Sequence, residues 1–259
     1  MQSFFYEEHC KICYNGFKKG VSVSVAKQIR SYIETVEDGK IFTYADLPVD
    51  NKAAAAPVLS RMESRGEIKR LSKGKYYKPK EGMFGELLPS DTEVLRSYMK
   101  DMGYSYITGL KAFNKMGLTT QVPNVVTITG DSSARKIKVK NMTIEVLTQK
   151  SSIETDDIFL AQMLDALDKI KKIPDTTPDA VVEYSKKTIA DLPREQRKRL
   201  AVLAKERRPR TRAIVGAILK ELGEREDATM LKKTLNPLSS YKVGLSNDVL
   251  KEKKRWKIL

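Results

Sequence analysis

The apolar period of this chain changes abruptly at Gly66, and no other feature limits the fold of its first part as strongly. Between Ser24 and Gly66, apolar side chains recur every three or four residues, which is the spacing of helices that bury one face. After Gly66 the pattern shortens to extended segments at 67–71 and 76–78, separated by a turn-forming sequence at 72–75. The sequence therefore predicts several helices followed at once by a hairpin.

Three helices are predicted before the hairpin. The first follows Ser24, whose hydroxyl can cap its start, and it stops before Gly39. The second is a short turn at 44–47, and the third runs from about Ala53 to Arg65 with Val58, Leu59 and Met62 facing inward. Pro57 lies within the third helix, where a missing backbone donor costs about 3 kcal/mol or more in a helix interior. We therefore expect the third helix to start late, near Ala53, or to be kinked at the proline.

This order of elements is that of a winged helix-turn-helix, in which the third helix enters the major groove and the wing lies on the adjoining backbone. The charge follows the same division. Residues 21–60 carry four basic and five acidic side chains, whereas residues 61–80 carry eight basic and two acidic ones. The positive charge thus lies where DNA phosphates would be, and residues 21–82 are predicted to form a DNA-binding domain.

The outward face and the start of the third helix supply the candidates for reading bases. Arg61 can bind a guanine and Asn51 an adenine through two hydrogen bonds, each worth about 1–3 kcal/mol of discrimination. So few polar readers imply modest specificity, which favours a paired or repeated site or help from DNA shape. The full base-reading set is Asn51, Lys52, Ala53, Pro57, Ser60, Arg61 and Ser64. The predicted phosphate contacts are Lys69, Arg70, Lys73 and Lys75.

Residues 86–259 are predicted to form a second domain, giving a helix-rich α+β protein. Residues 86–150 mix helices with strands at 125–129, 136–139 and 143–147, which alternate apolar and polar side chains and predict a small antiparallel sheet. Residues 151–259 are predicted to be helical.

A second basic stretch at 186–212 holds eleven basic and three acidic side chains. It is open to three interpretations: a second nucleic-acid contact, a docking site for an acidic partner, or a solvated helix face. The predicted surface comprises Arg194, Arg197, Lys198, Arg207, Arg208, Arg210 and Arg212.

The formal net charge of +15 favours a polyanionic partner. No apolar stretch reaches the roughly 18 to 20 residues of a membrane-spanning helix, and the start lacks the pattern of a signal peptide, so we expect a cytoplasmic protein that does not bind membranes.

Residues 1–20 differ from the rest and are expected to be a disordered lead-in or the product of a misassigned start. They hold His9, Cys10 and Cys13, the only histidine and both cysteines of the chain, which are too few for a four-ligand zinc site. The body of the chain therefore lacks the residues of Ser-His-Asp or Cys-His catalysis, and it also lacks a phosphate-binding GxxxxGK[ST] loop. We expect no catalysis, cofactor or metal.

Several segments resemble a known family. Residues 59–66 and the wing string Ile68 to Tyr77 resemble the N-terminal winged helix of AbiEi-type antitoxins, which belong to bacterial abortive-infection, type IV toxin-antitoxin systems. Tyr-Ile-Thr-Gly at 106–109 and Gly-Leu-Thr-Thr at 117–120 resemble the start of their second domain. Segments 209–213, 235–237 and 241–244 are similar to a related uncharacterised branch, and Pro57 departs from the family pattern.

The resemblance implies a repressor of its own operon that binds double-stranded promoter DNA through the winged helix. It further implies a second domain that antagonises a nucleotidyltransferase-like toxin. Two alternatives stay open: a transcription regulator without a toxin, and a protein-docking module whose positive charge meets an acidic partner.

Overall fold

The computed structural model describes residues 24–83, 85–149, 153–246 and 248–259, so the predictions for residues 1–20 lie outside the described residues. The described part is α+β, with nine α-helices and three small sheets. The chain divides into two compact units between Leu88 and Pro89. None of the described helices is long and apolar enough to cross a lipid bilayer.

The first unit contains two helices and two sheets. Its elements are α1 (Val25–Thr35), β1 (Ile41–Thr43), a 3-10 helix (Tyr44–Asp46), α2 (Lys52–Ser64), β2 (Lys69–Ser72), β3 (Lys75–Tyr77), β4 (Lys80–Gly82) and β5 (Gly85–Leu87). The last two strands form a separate antiparallel hairpin beyond residues 67–78, which is why this unit extends past its predicted end at Gly82.

Local capping explains where the helices of the first unit begin. The Ser24 hydroxyl accepts a hydrogen bond from the Lys27 amide, as the sequence predicts. Before the 3-10 helix, the Thr43 amide donates to the Asp46 carboxylate at 2.8 Å, and the Thr43 hydroxyl accepts from the Ala45 amide. These caps satisfy backbone groups that a helix start leaves unpaired.

The sheet of the first unit has the order β1-β3-β2, with both pairs antiparallel. Phe42 and Tyr76 face each other in register and stack at 6.0 Å between ring centroids. They share a buried core with Ile29, Leu59 and Ile68 from the helices and the start of the hairpin. This core holds α2 against the sheet, and so fixes which face of α2 is exposed.

The second unit begins with a mixed region and continues as helices. Its elements are α3 (Asp91–Met99), β6 (Ser105–Thr108), α4 (Leu110–Lys115), β7 (Val125–Gly130), β8 (Arg135–Val139), β9 (Met142–Thr148), α5 (Ile158–Asp168), α6 (Pro178–Asp191), α7 (Arg194–Ala204), α8 (Pro209–Glu221) and α9 (Arg225–Lys233). Short 3-10 helices lie at Thr155–Asp157 and Lys253–Trp256.

The sheet of this unit corrects the prediction of three antiparallel strands. It has four strands in the order β6-β7-β9-β8, and the central pair β7 and β9 is parallel. The hairpin of β8 and β9 places β8 at the outer edge, so β9 returns beside β7 in the same direction. The fourth strand, β6, is not among the three predicted strands.

Helix α8 is the centre of the helical core. All its residues from Ala213 to Leu219 are buried. A Cβ at Gly216 would lie 2.3 Å from the Trp256 ring, so only glycine admits the indole at this distance. The segment that carries Trp256 is held by backbone bonds from Tyr241 to Lys257 and from Val243 to Leu259.

Candidate nucleic-acid interface

The outward face of α2 is exposed as the sequence predicts. Ala53, Pro57, Ser60, Arg61 and Ser64 are all exposed, whereas Val58, Leu59 and Met62 on the opposite face are buried. The side chain of Ser64 donates to the Arg61 carbonyl at 2.9 Å. The exposed row consists of small side chains with one long cation, Arg61.

The two residues at the start of α2 have structural partners. Asn51 caps the helix, and its side-chain oxygen accepts hydrogen bonds from the amides of Ala53 and Ala54 at 3.1 and 3.4 Å. Reading adenine through two hydrogen bonds needs this oxygen as well as the amide nitrogen, so the role predicted for Asn51 does not fit this geometry. The Lys52 ammonium donates to the Leu47 carbonyl at 2.8 Å.

Pro57 lies inside α2 and not in its first turn. The helix begins at Lys52, next to the predicted start, and continues through the proline. Because proline has no backbone donor, the bond that residue 57 would make to the Ala53 carbonyl is missing. Helix α2 therefore contains an interrupted hydrogen-bond ladder on the exposed side that Ala53 and Pro57 share.

The hairpin of β2 and β3 turns at Lys73 and Gly74, and Gly74 adopts a positive φ of 77° that suits glycine. Arg70 and Lys73 are exposed on this hairpin. The Lys69 ammonium instead lies 3.2 Å from the Glu86 carboxylate of β5. Of the four predicted phosphate contacts, two are therefore open to solvent, and a third is ion-paired.

The phosphate contact predicted for Lys75 is wrong, because its side chain is buried with a fractional exposure of 5%. Lys75 begins β3, which lies between β1 and β2, and it faces Thr43 on one side and Ser72 on the other. The turn proper ends at Gly74, so Lys75 belongs to the central strand and not to the tip. Sequence alone does not show which residue of a short turn becomes a strand residue.

An aromatic cluster is formed by Tyr44, from the 3-10 helix, and Tyr76, from strand β3 of the hairpin. The hydroxyls of Tyr44 and Tyr76 lie 3.2 Å apart, and their rings pack edge to face. Burial, followed by the hydrogen bond to Tyr44, raises the pKa of Tyr76 to about 12, whereas the charge of Arg70 opposes this rise. Arg70 faces Tyr76 across the strand pair, which fixes its cation beside this cluster.

The second basic surface predicted at 194–212 is only partly a surface. Arg194, Lys198 and Arg208 are exposed. Arg197 lies 3.1 Å from the Glu224 carboxylate, Arg210 donates to the Asp168 carbonyl at 2.7 Å, and Arg212 donates to the Thr234 carbonyl at 3.2 Å. These bonds hold the loops and helices of the second unit together, so the exposed-surface prediction is wrong for these three arginines.

Arg207 is the clearest correction, since its side chain is only 15% exposed and serves a buried network. Its guanidinium lies 2.6 Å from one oxygen of Asp165, and the other oxygen accepts from Thr108 at 2.5 Å and from Tyr106 at 3.1 Å. Burial raises the pKa of Asp165, while Arg207 and the two hydroxyls oppose the rise. The Tyr-Ile-Thr-Gly segment is thereby tied to α5 and to the turn before α8.

Sequence reasoning missed this network because its members are far apart in the chain. The only local signal was the polar side chains of Tyr106 and Thr108 at alternate positions of a strand, which place both on one face. Within the described residues, no three histidine, cysteine or acidic side chains gather as a set of metal ligands. The His9, Cys10 and Cys13 group lies outside these residues.

Comparison with known proteins gives a family without a function. The model of a family of unknown function, DUF6088, matches residues 28–200, which is more than half of the chain. The chain belongs to DUF6088. This DUF6088 match begins within α1 and ends within α7, so it includes residues of both units.

No curated protein matches this DUF6088 chain in sequence. The crystal structure of the RV2827C protein from Mycobacterium tuberculosis is similar over 86% of this chain and 87% of that chain, with 14% sequence identity and a TM-score of 0.46.

Proposed function

We propose that residues 24–77 form a winged helix-turn-helix and that the chain binds double-stranded DNA through it. The observation that supports this most is the β1-β3-β2 sheet with α2 directly before its hairpin. In that arrangement α2 enters the major groove while the hairpin contacts the adjoining backbone. The exposed Arg61 on α2 and the exposed Arg70 and Lys73 on the hairpin supply the positive charge for the groove and the phosphates.

Recognition in this proposal depends on few side chains. Arg61 is the reader of guanine, Ser60 and Ser64 offer hydroxyls, and the exposed Ala53 and Pro57 offer only apolar contacts. Specificity per protein is therefore modest, and the target is a paired or repeated site in the chain's own promoter. The protein acts in the bacterial cytoplasm as a non-catalytic repressor.

The antitoxin role is a further part of the proposal and rests on the resemblance to AbiEi-type antitoxins. In it, the second unit antagonises a nucleotidyltransferase-like toxin encoded in the same operon. The segments that carry the resemblance include Tyr106 and Thr108, which lie in the buried network with Asp165 and Arg207. They therefore support the fold of the second unit and are not offered as contacts with a toxin.

The test of DNA binding is a titration of the full chain on its own promoter against salt. With Lys75 buried and Lys69 paired, Arg70 and Lys73 remain as the phosphate contacts of the first unit, which predict a log-log slope of about −2. Arg61→Ala should lower discrimination between promoter and random duplex, by about 1–3 kcal/mol. A slope near zero, with Arg61→Ala indistinguishable from the unchanged chain, would sink the proposal.

The antitoxin part has a separate test. The neighbouring gene is inspected for a nucleotidyltransferase-like product, and that product is expressed with and without this chain. Rescue of growth supports the antitoxin role, whereas promoter binding without rescue identifies a transcription regulator.

A protein-docking module is the second candidate, favoured by one observation. On the β4–β5 hairpin, Met83 is 95% exposed and Leu87 and Leu88 are about half exposed, so apolar side chains face solvent beside the basic hairpin. If the chain is a docking module, substitution of Met83 should abolish partner binding and leave the salt dependence of DNA binding unchanged.

A further inference from the structure

A surface cleft in the second unit lies between the end of α7 and the exposed side of α9. Its volume is about 550 Å³, within the range of sites that hold small molecules. Lys205 follows the last residue of α7, and Arg225 and Lys233 are the first and last residues of α9. The cleft thus brings cations from two elements to one place.

The cations are spread out along the cleft. Arg225, Thr229 and Lys233 follow one another at intervals of four residues, which places them on one face of α9. Eight residues of helix at 1.5 Å each separate the two cations by about 12 Å along the axis. On α7, the exposed Lys198 occupies the same side as Lys205 by the helical period, as does Arg194, whose guanidinium lies 3.9 Å from the Glu224 carboxylate. The cleft is therefore continuous with a wider basic surface.

The positive charge of the cleft exceeds its negative charge, with three cations and one acid in the lining. None of Lys205, Arg225 and Lys233 forms an ion pair with a described acidic residue, and Glu226 is the one acid in the lining. The hydroxyls of Thr229 and Thr234 donate to the carbonyls of Arg225 and Leu231. The donors that face an incoming anion are therefore the three cations.

The remaining lining decides the class of ligand. Met230 is its apolar member, and no aromatic ring belongs to it, so the cleft has no platform on which a base could stack. A row of cations about 12 Å long suits an extended polyanion better than a single small anion.

We infer that this cleft binds the phosphodiester backbone of nucleic acid without reading its sequence. All residues that line the site belong to the second unit, and its binding of nucleic acid does not depend on the role proposed for the first unit. In a chain with both sites, the cleft adds sequence-independent affinity.

The experiment compares two triple variants of the full chain with equal change of charge. The cleft variant is Lys205→Gln, Arg225→Gln and Lys233→Gln. The control is Lys187→Gln, Lys220→Gln and Lys251→Gln, three exposed cations of the same unit outside the cleft. Both are made with and without Arg61→Ala, Arg70→Gln and Lys73→Gln, which remove the proposed surface of the first unit. The probe is a labelled duplex of random sequence, titrated against salt.

The cleft variant should bind the random duplex about tenfold more weakly and lower the log-log salt slope by about 2 to 3, with or without the first-unit changes. The control should change the slope by less than about 1. Equal losses in the two triples would overturn the inference, as would competition by oligoglutamate that matches an oligonucleotide of equal charge. A different result would contradict the DNA-binding function proposed for the first unit: the first-unit changes would leave the preference for promoter DNA over random duplex intact.

Discussion

The Lys69 ammonium lies 3.2 Å from the Glu86 carboxylate, so a cation that the sequence assigns to a DNA phosphate is paired with an acid of the neighbouring hairpin. Both side chains are more than a third exposed, so the pair itself contributes little to stability. If the first unit binds DNA as proposed, the pair acts through its charge, because Glu86 competes with a phosphate for Lys69.

Glu86→Gln is therefore expected to strengthen DNA binding. Removing the acid frees Lys69 for one more phosphate contact, which steepens the log-log salt slope by about 0.9. Glu81→Gln is the matched control, since Glu81 faces Glu86 across the hairpin and is also exposed. Fluorescence anisotropy on promoter DNA measures both variants, and an equal gain from Glu81→Gln would mean that only net charge matters.

The two lysines beside the turn should behave differently. Lys73→Gln removes an exposed cation and should reduce the salt slope by about 0.9. Lys75→Met removes a buried polar group and should lower the stability of the first unit by about 1–3 kcal/mol while leaving the slope unchanged. Thermal melts by circular dichroism and salt titrations distinguish these effects. A loss of slope in Lys75→Met would show that this side chain reaches phosphate after all.

The buried ion pair of the second unit should be essential for its stability. Asp165→Ala leaves Arg207 buried without its nearest carboxylate, which costs about 3–5 kcal/mol. The Asp168 carboxylate lies 3.9 Å from the same guanidinium, which favours the lower end of that range.

Fluorescence of Trp256, the only tryptophan of the chain, reports the unfolding of this unit in denaturant. Lys136→Gln is the control, because it breaks a pair with Glu145 in which the lysine is 72% exposed and should cost less than about 1 kcal/mol. Similar midpoints for Asp165→Ala and Lys136→Gln would contradict the structural role of the network.

The aromatic cluster of Tyr44 and Tyr76 predicts that the first unit loses stability at alkaline pH. Burial raises the pKa of Tyr76 to about 12. The pKa of Tyr76 is higher in the folded state than its unfolded value of about 10. The contribution of Tyr76 to stability is therefore complete below pH 10 and is lost as the pH rises towards 12. Phenolate absorbance and circular dichroism should show unfolding of the first unit accompanying the titration of Tyr76.

Tyr76→Phe should remove that part of the pH dependence, at the cost of the hydrogen bond to Tyr44. Tyr184→Phe, in the second unit, controls for the loss of one tyrosine. An unchanged alkaline profile in Tyr76→Phe would assign the transition to other groups.

Local patterns predicted the elements of the first unit as far as β3 but not the β4–β5 hairpin. Ser24 as a cap, the inward side of α2 and the turn at Gly74 follow from capping, period and glycine conformation, which depend on residues close in sequence. Pairing between strands that are far apart in the chain could not be predicted from the sequence. The parallel neighbours β7 and β9 are one example, and β6 is a strand recognised only by its partner.

The charged residues show the same limit. Arg207 and Lys73 look alike in sequence, as members of basic runs. Arg207 is largely buried because it pairs with Asp165 of α5, whereas Lys73 is exposed at a turn. The cations of α9 do not stand out in the sequence, because Arg225 is flanked by acids and Lys233 by a single lysine. The helix places these two on one face, and the fold brings Lys205 of α7 to the same cleft. Charge runs therefore predict a class of partner better than they identify the contacting residues.

The contact of Trp256 with Gly216 also determines when the helical core of the second unit can be completed during synthesis. The indole that covers the middle of α8 lies 40 residues after Gly216, so it leaves the ribosome well after α8 does. Until then, the groove at Gly216 presents uncovered apolar surface, the condition under which nascent chains aggregate or engage chaperones. Slow translation between Gly216 and Trp256 should therefore prolong this exposure and lower the yield of folded protein.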